Sequence, residues 1–320
     1  MSHPQVVALS GGIGGAKLAL GLYRVLDPFA LTVIVNTGDD FDHLGLRICP
    51  DVDTTIYTLS GLANPELGWG RRGESWTFMD VLETLGGETW FRLGDGDLAL
   101  HIERTRRLAA GQPLSDIMAD VAQRFGIHAA VVPMSDSAVQ TVVVTDEGEL
   151  AFQDYFVRQR CEPRVRALHF AGAASAAPCA RAVAALSSAA TAAIVICPSN
   201  PYLSVDPMLA VPGFAELLRH SPAPVIAVTP LVGGRALKGP TAKIMAELGV
   251  PPRPVAVAEH YRGLIDGFVL DERDASLAAE FRCPLHVTDT VMTTLAAREQ
   301  LAREVLGFAA SLRSGRTSRT

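Results

Sequence analysis

The sequence predicts an α/β protein built on a doubly wound, mostly parallel sheet with a helical and β-rich insertion. Short apolar runs that read as buried strands recur at residues 5–10, 31–35, 192–196 and 225–228. Each runs straight into a polar exit: a Gly cluster at 11–15, an Asn/Asp stretch at 36–54, Cys-Pro-Ser-Asn-Pro at 197–201, and a second Gly-rich segment at 229–241. Helix-patterned segments separate the runs, which is the alternation expected of a parallel sheet. In such sheets ligands sit beyond the carboxyl ends of the strands, so function is sought at the exits.

The composition agrees. The chain has 320 residues, 48% hydrophobic and 19% charged, enough for a large core. We treat 1–320 as one α/β domain, with a core from 1–60 and 165–310 and an insertion at 61–164 on the substrate side. A net charge of −6 leaves no electrostatic footprint for nucleic acid or an anionic membrane. The basic segment 313–320 is too short to change that and reads as a solvated end. Five cysteines, at 49, 161, 179, 197 and 283, include no C-x-x-C pair and suit reduced thiols. Residues 1–10 lack the basic start of a secretory signal, and apolar stretches such as 189–196 are too short to span a bilayer. The expectation is a soluble, cytoplasmic protein.

In chain order, strand 5–10 leads through Gly11, Gly12, Gly14 and Gly15 into a helix over 18–26. Such a turn lets backbone N–H groups approach an anion at a helix N-terminus. It is not a Walker A loop, because no Lys-Ser/Thr ends it. Nor does it complete a dinucleotide fingerprint, because Asn36-Thr37-Gly38 stands where a ribose-binding acid belongs. A tight turn packing helix on strand explains the glycines equally well.

After strand 31–35 come five carboxylates, Asp39, Asp40, Asp42, Asp51 and Asp53. Any one would be an ordinary turn residue. Clustered at a strand end they are costly unless something cationic or hydrogen-bonding joins them, and Mg²⁺ is the usual joiner beside a phosphate.

Helices are expected over 54–62, 75–86, 98–110 and 114–125, with 64–74 a loop. Trp69, Trp76 and Trp90 fall in this region and could serve a flat heterocycle or packing. From residue 129 the pattern turns to strands at 129–136, 139–145 and 149–156, an excursion from the main sheet. Helix 178–190 and strand 192–196 return to the core, with Ser199 and Asn200 in the exit turn. Helix 212–220, strand 225–228 and the Gly-rich segment with Gly234, Arg235 and Lys238 follow. Helix 242–248, segments 255–261, 267–271 and 285–287, and an amphipathic helix over 295–312 complete the chain.

Read together, the motifs L-S-G-G-I-G-G-A-K, V-N-T-G-D-D, C-P-D-V-D-T, L-G-W-G, L-G-D-G-D-L-A-L-H-I, V-P-M-S-D, F-Q-D-Y-F-V-R, C-P-S-N-P and P-L-V-G-G-R-A-L-K-G-P resemble the CofD family over about 6–310. These are the 2-phospho-L-lactate transferases of coenzyme F-420 biosynthesis. The resemblance implies a Rossmann-like fold, Mg²⁺ as cofactor, and transfer from a GDP-linked small acid (lactyl, enolpyruvyl or glyceryl) to the deazaflavin Fo, with GMP released. It implies the small-molecule partners named and a homodimer. It implies Gly11, Gly12, Gly14, Gly15 and Lys17 at the diphosphate, and Ser199, Asn200, Gly234 and Lys238 at the nucleotide. Asp39 and Asp51 are the expected metal ligands, Asp39, Asp40 and Asp53 the catalytic residues, and Asp53 the base to the Fo hydroxyl. Trp69, Asp95, Asp97, Met134 and Asp136, with Asp53, are expected on the deazaflavin side.

One departure stands out. The family usually reads L-G-D-R-D, and Gly96 replaces that arginine, leaving Arg92 and Arg104 as possible substitutes. A non-catalytic CofD-like regulatory protein that binds nucleotide-sugars is the alternative. Those relatives lack a P-D-x-D-T motif followed by L-G-D, and this chain has both. An NAD-dependent oxidoreductase is a third reading, weakened by the missing ribose acid.

Overall fold

The structure, a computed structural model, describes residues 4–65, 69–236 and 239–317. The chain runs β1 (Gln5–Ser10), α1 (Gly12–Val25), β2 (Leu31–Val35), β3 (Phe41–His43), β4 (Leu46–Ile48), α2 (Pro50–Leu59), α3 (Thr77–Thr84), α4 (Asp95–Ala109), α5 (Leu114–Arg124) and β5 (Ala130–Pro133). It continues with β6 (Gln140–Thr145), β7 (Gly148–Ala151), β8 (Val165–Ala171), α6 (Ala180–Ser187), β9 (Thr191–Ile196), α7 (Asp206–Leu209), α8 (Phe214–Arg219) and β10 (Val225–Val228). The last elements are β11 (Leu231–Val232), β12 (Arg235–Ala236), α9 (Thr241–Glu247), α10 (Pro254–His260), β13 (Gly267–Asp271), β14 (Leu285–Thr288) and α11 (Leu295–Thr317).

The predicted sheet is present. Seven strands in the order β14-β13-β10-β9-β1-β2-β5 pair in parallel throughout. Their apolar runs are continuous because both faces are covered. Leu9, Ile34, Ile194 and Ile196 point into one core with Leu186, Met208, Phe214, Ile244 and Val257 of α6–α10. Ala8, Val33, Val35 and Val195 point into the other with Leu18, Val52, Ile56, Ile117 and Val305 of α1, α2, α5 and α11. No helix among the described residues is long and apolar enough to cross a membrane.

The insertion is drawn differently from expectation. β5 lies inside 61–164, yet it pairs with β2 and forms an edge of the main sheet. The separate antiparallel sheet is β7-β6-β8, and its last strand lies beyond residue 164. The strand expected over 149–156 stops at Ala151, and residues 154–158 form a π-helical turn instead.

From β1 the chain winds outward through β2 to β5, then crosses back to β9 and proceeds the other way. The strand order therefore reverses between β1 and β9, and ligand crevices of doubly wound sheets form at such reversals.

Candidate functional site

The five-Asp stretch is brought together by a small hairpin that its sequence barely announces. β3 and β4 are three residues each and pair Phe41 with Ile48 and His43 with Leu46. Leu44 and Gly45 form the turn at φ 51° and 74°, the left-handed pair of a two-residue hairpin turn. The return leg ends where α2 begins, four residues earlier than expected, with Pro50 in the first turn. Asp51 and Asp53 thus sit in the first turn of α2, where the helix dipole favours negative charge. Asp39, Asp40, Asp51 and Asp53 are all buried. Asp42, half-way round the hairpin, instead pairs at the surface with Arg47 at 3.1 Å.

The four buried acids fall into two environments. Asp51 accepts from Gly12 N at 2.8 Å and from Asn36 Nδ2 at 3.0 Å, tying α2 to the start of α1 and the end of β2. Burial nevertheless raises its pKa to about 6 against those hydrogen bonds. Asp39 is raised well above the usual range by burial, and the Asp51 charge adds to the shift. Asp40 is pushed by burial to about 8 despite the Cys49 thiol and the charge of Arg104. Asp39 Oδ1 and Asp40 Oδ1 have no hydrogen-bond partner among the described residues. Buried Ser10 Oγ, Thr37 Oγ1 and Asn200 Nδ2 are also without one, so five such atoms lie at the ends of β1, β2 and β9, while His43 Nε2, His101 Nε2, Thr141 Oγ1 and Arg298 Nε lie elsewhere. Buried orphans are rare and call for a ligand or ion. An oxygen-only set of raised-pKa carboxylates fits a hard divalent cation such as Mg²⁺, which would restore their ionised form.

Asp53 is different. Its two oxygens accept from Arg104 Nη1 and Nη2 at 2.6 and 3.0 Å. Arg104 is fully buried and also donates from Nε and Nη2 to Arg47 O at 3.1 and 3.0 Å. Burial alone would lower its pKa, but the Asp53 carboxylate outweighs this and keeps it charged. Arg104 Nη2 lies 2.8 Å from His101 Nδ1. Its N–H can only donate, so the His101 proton belongs on Nε2, 3.3 Å from Asp97 Oδ2. Tyr57 donates to Asp97 Oδ1 from α2. Burial works against an ionised Asp97, but His101, Tyr57 and Arg104 together bring its pKa down. Asp97, His101 and Arg104 stand at i, i+4 and i+7, one face of α4, and that spacing was the available signal for this network.

The Gly cluster has a packing role of its own. Helix α1 already starts at Gly12, whose φ of +64° makes the sharp entry from β1. A Cβ on Gly14 would lie 2.3 Å from Pro198 O, and one on Gly15 would lie 2.6 Å from Ser10 Oγ and 2.8 Å from Ser199 Oγ. The glycines therefore let α1 close onto the β9 exit. Ser199 Oγ completes that closure, accepting from Gly11 N at 3.1 Å and donating to Gly11 O at 2.9 Å. Asn200 Oδ1 caps the following turn through Tyr202 N and Leu203 N at 3.0 and 3.2 Å. Gly11, Gly12, Gly14, Gly15, Ser199 and Asn200 are thus gathered at the sheet reversal, next to Asp51. Lys17 lies one turn into α1. Gly234 is in the tip of the β11–β12 hairpin, at φ +70°, and Lys238 falls outside the described residues.

The residues expected on the deazaflavin side are less united. Asp97 joins the Asp53 network, and Trp69 is 48% exposed and free to meet a ligand. Asp95 caps α3, accepting from Ser75 Oγ, Thr77 N and Phe78 N at 2.6, 3.2 and 3.1 Å. Asp136 holds the start of α5, accepting from Ser115 N and Oγ at 2.7 and 2.9 Å. Met134 is fully buried in the core. Among the described residues none of these three side chains is hydrogen-bonded to the four buried acids. Neither arginine offered as a substitute at Gly96 is there: Arg104 holds Asp53, and Arg92 stacks over Trp76 at 4.2 Å.

The raised Asp40 pKa makes a testable statement. An unfolded Asp ionises near 4, whereas the folded group stays protonated up to about 8. Across that window the unfolded state holds fewer protons, so this residue lowers the stability of metal-free protein as pH rises, fully above about 8. Asp40→Asn should therefore raise the melting temperature of metal-free protein at pH 8 and leave it near wild type at pH 4. Thermal scans of both proteins across that range check it.

A family model described as 2-phospho-L-lactate transferase CofD matches residues 6–306. A phosphoenolpyruvate transferase of Streptomyces griseus subsp. griseus is 41% identical over 317 residues, covering 94% of this chain and 99% of that protein. A phosphoenolpyruvate transferase of Thermobifida fusca is 39% identical over 307 residues, covering 90% and 94%. Among solved structures, a member of the UPF0052 family from Bacillus halodurans superposes with a TM-score of 0.64 over 96% of this chain and 99% of that one. At 15% identity that likeness speaks for the fold alone.

Proposed function

The chain belongs to the CofD family of 2-phospho-L-lactate transferases, and from that premise we propose that it moves a phospho-acid group from a GDP-linked donor to the terminal hydroxyl of the deazaflavin Fo. The relatives named phosphoenolpyruvate transferase favour enolpyruvate as the acid. The observation that carries the reading is the convergence of a glycine-lined helix start, Asn200 and the buried pair Asp39 and Asp51 at the reversal of strand order. A diphosphate between two such elements would meet backbone donors on one side and a cation site on the other.

In the proposed reaction the Fo hydroxyl oxygen bonds to the β-phosphorus. The bond from that phosphorus to the bridging oxygen breaks, and its electron pair leaves on GMP. Phosphoryl transfer of this kind is mostly positioning and charge neutralisation. Gly11, Gly12, Gly14 and Gly15 keep the α1 N-terminus open toward the diphosphate, the N–H groups of Gly11 and Gly12 being held by Ser199 and Asp51, with Lys17 as a further cation, and Ser199 and Asn200 lie at the guanosine. Gly234 and Lys238 are assigned to the same nucleotide. Asp39 and Asp51 would hold Mg²⁺, which when bound supplies charge neutralisation at the phosphates. Asp40, with an orphaned oxygen beside the proposed cation site, is placed to accept the hydroxyl proton once a bound cation holds it ionised. Asp53 has both oxygens engaged by Arg104, so its part shifts from base to fixed negative charge. Trp69 and Asp97 remain on the Fo side.

The test is a mass-spectrometric end-point assay with purified protein, Mg²⁺, Fo and the lactyl-, enolpyruvyl- and glyceryl-diphosphoguanosine donors in separate reactions. A phosphodiester of Fo carrying enolpyruvate, with one GMP released per product, is expected. GDP binding without product from any donor would refute the transferase reading.

A further inference from the structure

The start of α4 has two positions where a side chain has no room. A Cβ on Gly94 would lie 2.4 Å from Glu74 Cδ. One on Gly96 would lie 2.5 Å from Arg71 Nη1 and 2.9 Å from Glu74 Oε1. The space is filled from the segment before α3, 25 residues back in the chain for Arg71.

That segment is latched rather than loosely draped. Glu74 Oε2 accepts from Gly96 N at 2.6 Å, capping α4. Asp95 returns the favour to α3 and also donates its own N–H to Ser75 O at 3.0 Å. Each helix start is thus closed by an acid from the other segment, with Arg71 between them. Arg71 itself is lightly committed. Its one side-chain hydrogen-bond partner among the described residues is Glu74 Oε1, at a long 3.4 Å, and its side chain is 31% exposed. Most of a five-donor planar fork therefore remains available.

Its surroundings are otherwise acidic or spoken for. The next residue along α4, Asp97, leads through His101 and Arg104 to Asp53. Arg104 is consumed by Asp53, Arg47 pairs with Asp42, and Arg92 lies on Trp76. A guanidinium lodged over Gly96 with spare donors matches a planar oxyanion that must be held in one orientation.

We propose that Arg71 determines donor specificity by binding the carboxylate of the acid carried on GDP, and that Gly96 is there to admit it. The proposal rests on the transferase reading. It assigns the carboxylate because that is the donor's anionic group left over once the diphosphate is met by the α1 N-terminus and the Asp39–Asp51 side.

Binding tests it without turnover. Calorimetry would compare GDP with enolpyruvyl-diphosphoguanosine on wild type, Arg71→Gln and Gly96→Ala. The expected result is tighter binding of the donor than of GDP in wild type, and loss of that advantage by at least about tenfold in Arg71→Gln, with GDP affinity unchanged. Gly96→Ala should do the same by displacing the guanidinium, and thermal melting shows whether each variant is folded. The double variant Arg71→Gly with Gly96→Arg should recover part of the donor affinity. In turnover, KM for the donor should rise while KM for Fo stays put. An unchanged ratio of donor to GDP affinity in folded Arg71→Gln would overturn the proposal, as would a rise in KM for Fo instead. Loss of the affinity ratio in a protein without transferase activity would retain Arg71 as an acid-binding residue and refute the transferase reading alone.

Discussion

Arg104→Ala is expected to destabilise the fold by about 3–5 kcal/mol, the usual cost of removing one partner from a buried ion pair. The side chain is inaccessible to solvent and spends its donors on Asp53, the Arg47 carbonyl and His101. Its removal strands Asp53 without a counter-charge and takes from Asp97 the charge that helps hold it ionised. It also unties α4 from the hairpin, since the Arg47 carbonyl belongs to β4. Urea unfolding of the purified variant measures the loss. A second variant separates stability from function. Arg104→Met with Asp53→Leu removes both charges together, so most of the stability should return. Transfer should not return, because Asp53 would still be missing.

Asp51→Asn should lower turnover at limiting Mg²⁺ by at least about a hundredfold, the upper end of the range seen when even an outer-shell partner of a metal is lost. The substitution keeps an acceptor for Gly12 N and removes a carboxylate that burial already disfavours. It also sets an amide NH2 against Asn36 Nδ2, which offsets that gain, so metal-free stability should change little. Steady-state rates at a series of Mg²⁺ concentrations, with melting temperatures alongside, check both halves. A folded variant with an unchanged Mg²⁺ dependence would remove Asp51 from the metal set.

The seven-stranded sheet was legible because parallel strands buried on both faces are unbroken apolar runs, as in β1, β2, β9 and β10. The exits were legible for the same reason: Gly11, Asp39, Ser199 and Asn200 each follow such a run within a few residues. The hairpin that gathers the acids was not. Its strands are three residues long, too short for alternation to register, and a leucine occupies its first left-handed position. β5 looked like part of the insertion because local pattern cannot say which sheet a strand joins. The capping roles of Asp95 and Asp136 were not legible because the N-termini they cap lie 17 to 21 residues away in sequence. Arg104 reaches Asp53 across 51 residues, and Arg71 reaches Gly96 through tertiary closure alone. The network on α4 could have been suspected from Asp97, His101 and Arg104 sharing a face, whereas its partner on α2 could not.

The central claim is that the carboxylates gathered by the hairpin form a divalent-metal site beside the nucleotide. Electron paramagnetic resonance of Mn²⁺ titrated into the protein with GDP present tests it most directly. Wild type should show one bound Mn²⁺ per chain, tightened by GDP, and the variant carrying Asp39→Asn and Asp51→Asn should show none while still melting cooperatively. Equal Mn²⁺ binding by that folded variant would contradict the claim and place the metal elsewhere.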